Sequence, residues 1–91
     1  MSAGDDAELK RLFGLDLDKR VAALEPAIKG NDLNAVRRQA HAIAGAAFLV
    51  GERAIGEMAI SVWTGTTSAM IENARELYRM CAEYLSVNSS S

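Results

Sequence analysis

The chain has 91 residues, with 12 acidic and 10 basic side chains and a formal net charge of −2. One domain is the expectation at this length, and 49% hydrophobic residues suit a packed core rather than a disordered chain. The mild acidity, with a pI near 5.3, argues against a general nucleic-acid binder, which needs clustered basic charge. No apolar run approaches the roughly 18 residues of a membrane span. The polar, acidic start Met1-Ser2-Ala3-Gly4-Asp5-Asp6 is no secretory signal. Cys81 is the only cysteine, which excludes an internal disulfide and a cysteine-built zinc site and makes a reducing cytoplasm the expected location. The starting methionine and short tail lead us to expect a free-standing protein.

The pattern predicts helices throughout, because valine, isoleucine and threonine never gather into alternating runs. A short first helix is predicted over Asp6 to Phe13, with Leu9, Leu12 and Phe13 as its apolar side and Gly14 as its stop. A second is predicted over Asp16 to Lys29, carrying the stripe Leu17, Val21, Leu24, Ile28. Pro26 falls inside it and predicts a kink or an early break, and Gly30 predicts the end. Asn31 or Asp32 caps a third helix running to about Leu49, with Leu33, Val36, Ala40, Ile43, Ala47 and Val50 inward and Val50-Gly51 closing it. Glu52 to about Trp63 forms a fourth, with Ile55, Met58, Ala59 and Val62 inward and Trp63 as a packing residue. After the turn Thr64-Gly65-Thr66, a fifth runs from about Thr67 to Leu85. Met70, Ala74, Leu77, Cys81 and Tyr84 or Leu85 line its inner face. Residues 1–5 and 87–91 are expected to be loose.

Every connection is short, so sequential helices should lie antiparallel. The expected architecture is all-α: an up-down four-helix bundle in one domain, with the short extra N-terminal helix capping one end. The mixed charges Asp16, Asp18, Lys19 and Arg20 read as a solvated face. Glu72, Arg75, Glu76 and Arg79 read as spaced ion pairs.

Little in the chain is equipped for chemistry. There is one histidine, no GxGxxG and no GxxxxGK[ST], and no pairing of carboxylates that suggests acid/base work. His41 remains. At 100° per residue it points about 130° away from the centre of the third helix's apolar stripe, so it should face outward. Gly45 follows one turn later on the same face. A glycine inside a helix costs about 1 kcal/mol relative to alanine, and this one caps nothing. An exposed mid-helix glycine beside an exposed histidine suggests that another surface comes close to the imidazole. Ala44 and Ala46 keep the surroundings low. Arg37 and Arg38, one turn earlier, bring positive charge that can hold an anion or merely be solvated. Phe48 falls toward the same face, where it can anchor a partner or pack on the neighbouring helix. An imidazole nitrogen is a good nucleophile near neutral pH. With neither metal nor base beside it, His41 is suited to accept an activated group and pass it on.

These residues carry a likeness. The run His41-Ala42-Ile43-Ala44-Gly45-Ala46-Ala47-Phe48-Leu49-Val50-Gly51 resembles the motif of the histidine phosphotransfer (HPt) domain family. That motif reads His, any, Leu or Ile, Lys, Gly, two small residues, two of any type, an apolar residue, Gly. Every defined position matches except the lysine, which is Ala44 here. Arg37-Arg38-Gln39-Ala40 and Gly30-Asn31-Asp32-Leu33 also look like the family. By helix order the likeness covers about Leu9 to Leu85, and it is specific over about 20 residues. The resemblance implies a helical bundle in a two-component phosphorelay, acting as a phosphocarrier rather than a turnover catalyst. His41 would exchange a phosphoryl group with the aspartate of a response-regulator receiver domain, and a hybrid histidine kinase is a further partner the resemblance implies. The receiver would supply the Mg²⁺, and this chain would need no cofactor of its own. Gly45 would give the receiver room. Phe48 and Leu49, with residues of the second helix, are candidates for docking it. Arg37 or Arg38 would stand in for the missing lysine.

Three other readings stay open at this point. A helical interaction module would bind a receiver or kinase without taking phosphate, a reading that Ala44 motivates. A plain structural bundle or dimerisation domain would show a concentration-dependent mass, whereas the phosphocarrier is expected to be a monomer. A haem-binding bundle would pair His41 with a methionine, but Met58, Met70 and Met80 fit inward or packing positions while His41 points out.

Overall fold

A computed structural model describes residues 3–89, and all of its regular structure is helical. Four helices follow in order: α1 (Ala3–Lys29), α2 (Leu33–Leu49), α3 (Arg53–Thr64) and α4 (Thr67–Ser89). Each packs on its neighbours in sequence, and α1 closes the ring against α4. This is the expected antiparallel four-helix bundle.

The short N-terminal helix does not exist as a separate element. α1 runs unbroken through Gly14 for 27 residues, about 40 Å at the helical rise, close to the 43 Å long axis of the molecule. One glycine costs a helix only about 1 kcal/mol. Phe13 and Leu17 flank Gly14 and are both buried, which extends the inner stripe back across the glycine. Leu12, by contrast, lies 48% exposed on the outer side and does not join Phe13 in the core. Helix also reaches into both end stretches expected to be loose, as far as Ala3 and Ser89, while residues 1–2 and 90–91 lie outside the described residues.

Pro26 does not break α1 either. It sits in the exposed last turn, where water can satisfy the carbonyl its missing N–H leaves unbonded. The chain then turns by a pair of bonds that tie off the helix end. Asn31 donates to the Ile28 carbonyl at 3.2 Å and Asp32 to the Ala27 carbonyl at 2.9 Å. The left-handed position in this turn belongs to Asn31, at φ 52, and not to Gly30. Asp32 then caps α2, its carboxylate accepting from the Ala35 N–H at 3.2 Å. The same device ends α2. Gly51, at φ 82, takes the left-handed position, and Glu52 N–H reaches the Ala47 carbonyl at 2.8 Å.

The core comes from all four helices. Leu17, Leu24, Val36, Ile43, Val62, Met70, Leu77 and Cys81 are fully buried. Leu33, Val50, Met58, Tyr84 and Leu85 pack against this core half-buried. On the surface, Asp16 pairs with Arg20, and Arg79 binds both Glu76 and Glu83, while Glu72 and Arg75 form no pair with each other. Such exposed pairs add little in water. Phe48, at the end of α2, lays its ring over α3. A Cβ added to Gly56 would stand 2.8 Å from that ring.

Two consequences can be measured. Gly56→Ala should push the Phe48 ring outward rather than unfold the bundle. The gain in helix propensity offsets part of an overpacking cost of about 1–3 kcal/mol, for a net loss below ~2 kcal/mol. Unmoved Phe48 ring resonances in the variant would contradict this packing. Burial pushes the Cys81 thiol up to about 12 from its ordinary 9.0. Between those values the unfolded chain gives up the thiol proton and the folded one keeps it. This group's contribution is therefore complete below about pH 9 and is lost as pH rises toward 12. Urea unfolding across that range should show a downward slope that Cys81→Ala reduces, and an unchanged slope in the variant would refute the assignment.

Candidate functional site

Burial of one stripe of α2 orients everything on its outer side. Val36, Ala40, Ile43 and Ala47 are completely buried, so His41 and Gly45 turn out to solvent. The expectation for His41 therefore holds in the fold. Its ring is not isolated, however. The indole of Trp63, at the end of α3, meets the imidazole edge-on, with centroids 4.8 Å apart and planes at 73°. His41 forms no side-chain hydrogen bond with any described residue.

Gly45 lies one turn further along. An added Cβ there would meet nothing within 4 Å. Nothing inside this chain explains the missing side chain, so the glycine leaves an open notch beside the imidazole. Gly56 contrasts with it, because its space is filled by Phe48 of the same molecule.

Apolar side chains rim the notch. Phe48 rests on α3 yet stays 41% exposed, so the two alternatives read from the sequence both apply to it. Leu49, at the end of α2, is 71% exposed. Ile60 is exposed on α3, one turn from both Gly56 and Trp63. The contacts of residue 48 with residue 56 and of 41 with 63 run the two helices antiparallel, which puts Ile60 level with Gly45. Sequence reasoning missed Ile60, Gly56 and the partnership of Trp63 with the histidine. The available signal was the spacing 56, 60, 63, which shares one helical face.

Charge beside the notch is positive. Arg37 and Arg38 are both exposed, one turn before His41. Neither pairs with a carboxylate among the described residues, whereas Arg11, Arg20, Arg53 and Arg79 each have one. Ala44 differs from its sequence-based placement on this surface. It is only 6% exposed and lies on the edge of α2 that residues 41 and 48 turn toward α3. Among the described residues no group of His, Cys, Asp and Glu gathers to hold a metal ion, and no helix is long and apolar enough to cross a membrane.

The arrangement offers a solvent-facing imidazole, open space at Gly45, an apolar rim and two guanidinium groups unpaired among the described residues. Among the described residues no acid or base is hydrogen-bonded to the imidazole. No curated protein and no solved structure matches the chain. The family model of the Hpt domain matches residues 8–86, a span that takes in parts of all four helices and the whole of α2 and α3 with the notch between them. The sequence motif around His41, the four-helix bundle and this match agree: the chain belongs to the Hpt domain family.

Proposed function

We propose that this protein is a phosphocarrier in which His41 takes a phosphoryl group from the aspartate of a receiver domain, or returns one to it. At the family level, Hpt domains serve histidine phosphotransfer in phosphorelays. The observation that carries the reading to these residues is the open notch at Gly45 beside an exposed imidazole.

In the forward step the lone pair of one ring nitrogen of the His41 imidazole attacks phosphorus. The bond from phosphorus to the aspartyl oxygen breaks, and the carboxylate keeps that electron pair. All three terminal phosphoryl oxygens travel with phosphorus, and the imidazole keeps the proton on its other ring nitrogen. Donation is the reverse. The receiver's Mg²⁺ would balance the charge on the transferring group, so this chain contributes a nucleophile and a surface instead of a complete catalytic site. The rim of Phe48, Leu49 and Ile60 suits docking of an apolar face of the receiver. Arg37 and Arg38 supply cations in place of the family lysine. A cytoplasmic monomer is the form this proposal implies.

The deciding experiment mixes the protein with receivers phosphorylated on aspartate, in the presence of Mg²⁺. An acid-labile, base-stable phosphate should appear on the wild type and be absent from His41→Gln. A receiver that binds both proteins and transfers to neither would instead favour an interaction module, the reading motivated by Ala44. Gly45→Leu fills space that is empty in the isolated protein. It should leave the thermal melt unchanged or raised, and slow transfer at least tenfold by blocking approach; unimpaired transfer would remove the notch from the docking surface. Arg37→Ala and Arg38→Ala should each slow transfer by roughly tenfold, the loss of about 1.4 kcal/mol of charge-assisted contact. Wild-type rates would take the arginines out of the mechanism.

A further inference from the structure

We infer that the indole N–H of Trp63 is a hydrogen-bond donor to the phosphoryl group carried on His41. This rests on the phosphocarrier reading of His41. Three observations support it. Trp63 Nε1 is buried and has no hydrogen-bond partner among the described residues. Buried donors in native proteins are almost always satisfied, and one that is not calls for an explanation. The same side chain makes the ring contact to His41, at 4.8 Å between centroids. The third concerns residue 44, where the family motif has a lysine. Here that position is a buried alanine that turns toward α3, and it has no donor to offer. Trp63 stands on the flank of the imidazole that α3 provides.

The unmodified imidazole leaves the indole donor without an acceptor. Phosphohistidine adds three oxygens with negative charge beside it. The contact requires a rotation of the imidazole that brings one of them against Nε1–H. The donor stays on Trp63, no proton changes place, and the nitrogen–phosphorus bond is untouched. The contact gives the phosphorylated state an interaction that the free state lacks. It therefore lengthens the lifetime of phosphohistidine and draws the transfer equilibrium toward this protein. A hydrogen bond to a charged acceptor is among the stronger ones available to a side chain.

Potassium phosphoramidate, which phosphorylates histidine without a receiver, provides the test. Trp63 is the only tryptophan, so its indole N–H gives one resonance in a ¹H–¹⁵N spectrum. On phosphorylation of the wild type that resonance should move downfield and its exchange with solvent should slow. Trp63→Phe keeps a ring against His41 and removes the N–H, and its phosphohistidine should hydrolyse roughly tenfold faster. An unmoved indole resonance, or equal lifetimes in wild type and a folded Trp63→Phe, overturns the inference. The spectrum of the wild type decides the question even when the variant does not fold. Because phosphoramidate bypasses the receiver, a shifted indole with no transfer from any receiver would sink the phosphocarrier reading and leave this donor in place.

Discussion

The stripe Val36, Ala40, Ile43, Ala47 along α2 has no solvent exposure at all, and the orientation of the functional surface follows from that burial. A helix has one rotational setting that hides such a stripe, and displacing it would expose apolar surface and open cavities among its neighbours. The setting that hides Ile43 turns His41 and Gly45 outward. It also turns Ala44 inward toward α3. The two alanines in the stripe matter as much as the two branched residues, because small side chains let α1, α3 and α4 come close to the middle helix. The histidine is thus held by the core two residues away from it, and its neighbours on the surface need not restrain it.

Two helix ends hold the hairpins that present this surface. The turns after α1 and after α2 use the same pair of backbone bonds and a left-handed residue, Asn31 in one and Gly51 in the other. Each turn satisfies carbonyls that a helix end leaves open, and each reverses the chain within a few residues. The second turn is the more consequential for the site. It delivers α3 alongside α2 so that Gly56 meets Phe48 and Trp63 meets His41. Close approach at Gly56 lets the Phe48 ring lie down on α3 while keeping part of its face to solvent. Two glycines, Gly45 and Gly56, therefore serve opposite ends: one leaves space empty, and the other lets a side chain of the same molecule fill it.

Electrostatically, the site is simple. The unpaired cations Arg37 and Arg38 precede the imidazole, and the exposed ion pairs elsewhere on α1, α3 and α4 are satisfied locally. On the proposed reading, a dianionic group brought to His41 would meet positive charge with no carboxylate engaged by it among the described residues.

Much of this was legible in one dimension. Periodicity identified the inward stripes of α2, α3 and α4, and the pair Asn31-Asp32 and Val50-Gly51 marked the ends of α2, because these are local signals that the backbone obeys locally; the structure assigns the cap to Asp32. The outward direction of His41 followed from the same periodicity, and its chemistry was suggested by the motif around it. The length of α1 was not legible, since Gly14 and Pro26 are local helix breakers whose modest costs are outweighed by burial of Phe13, Leu17, Leu24 and Ile28 against other helices. Nor was the meeting of Trp63 with His41, or of Phe48 with Gly56. Those neighbours lie on different helices, and only the packing of α2 on α3 sets which turn of one stands opposite which turn of the other. Periodicity within a helix reports which face is buried; it carries no record of what the exposed face will find beside it once the bundle has closed.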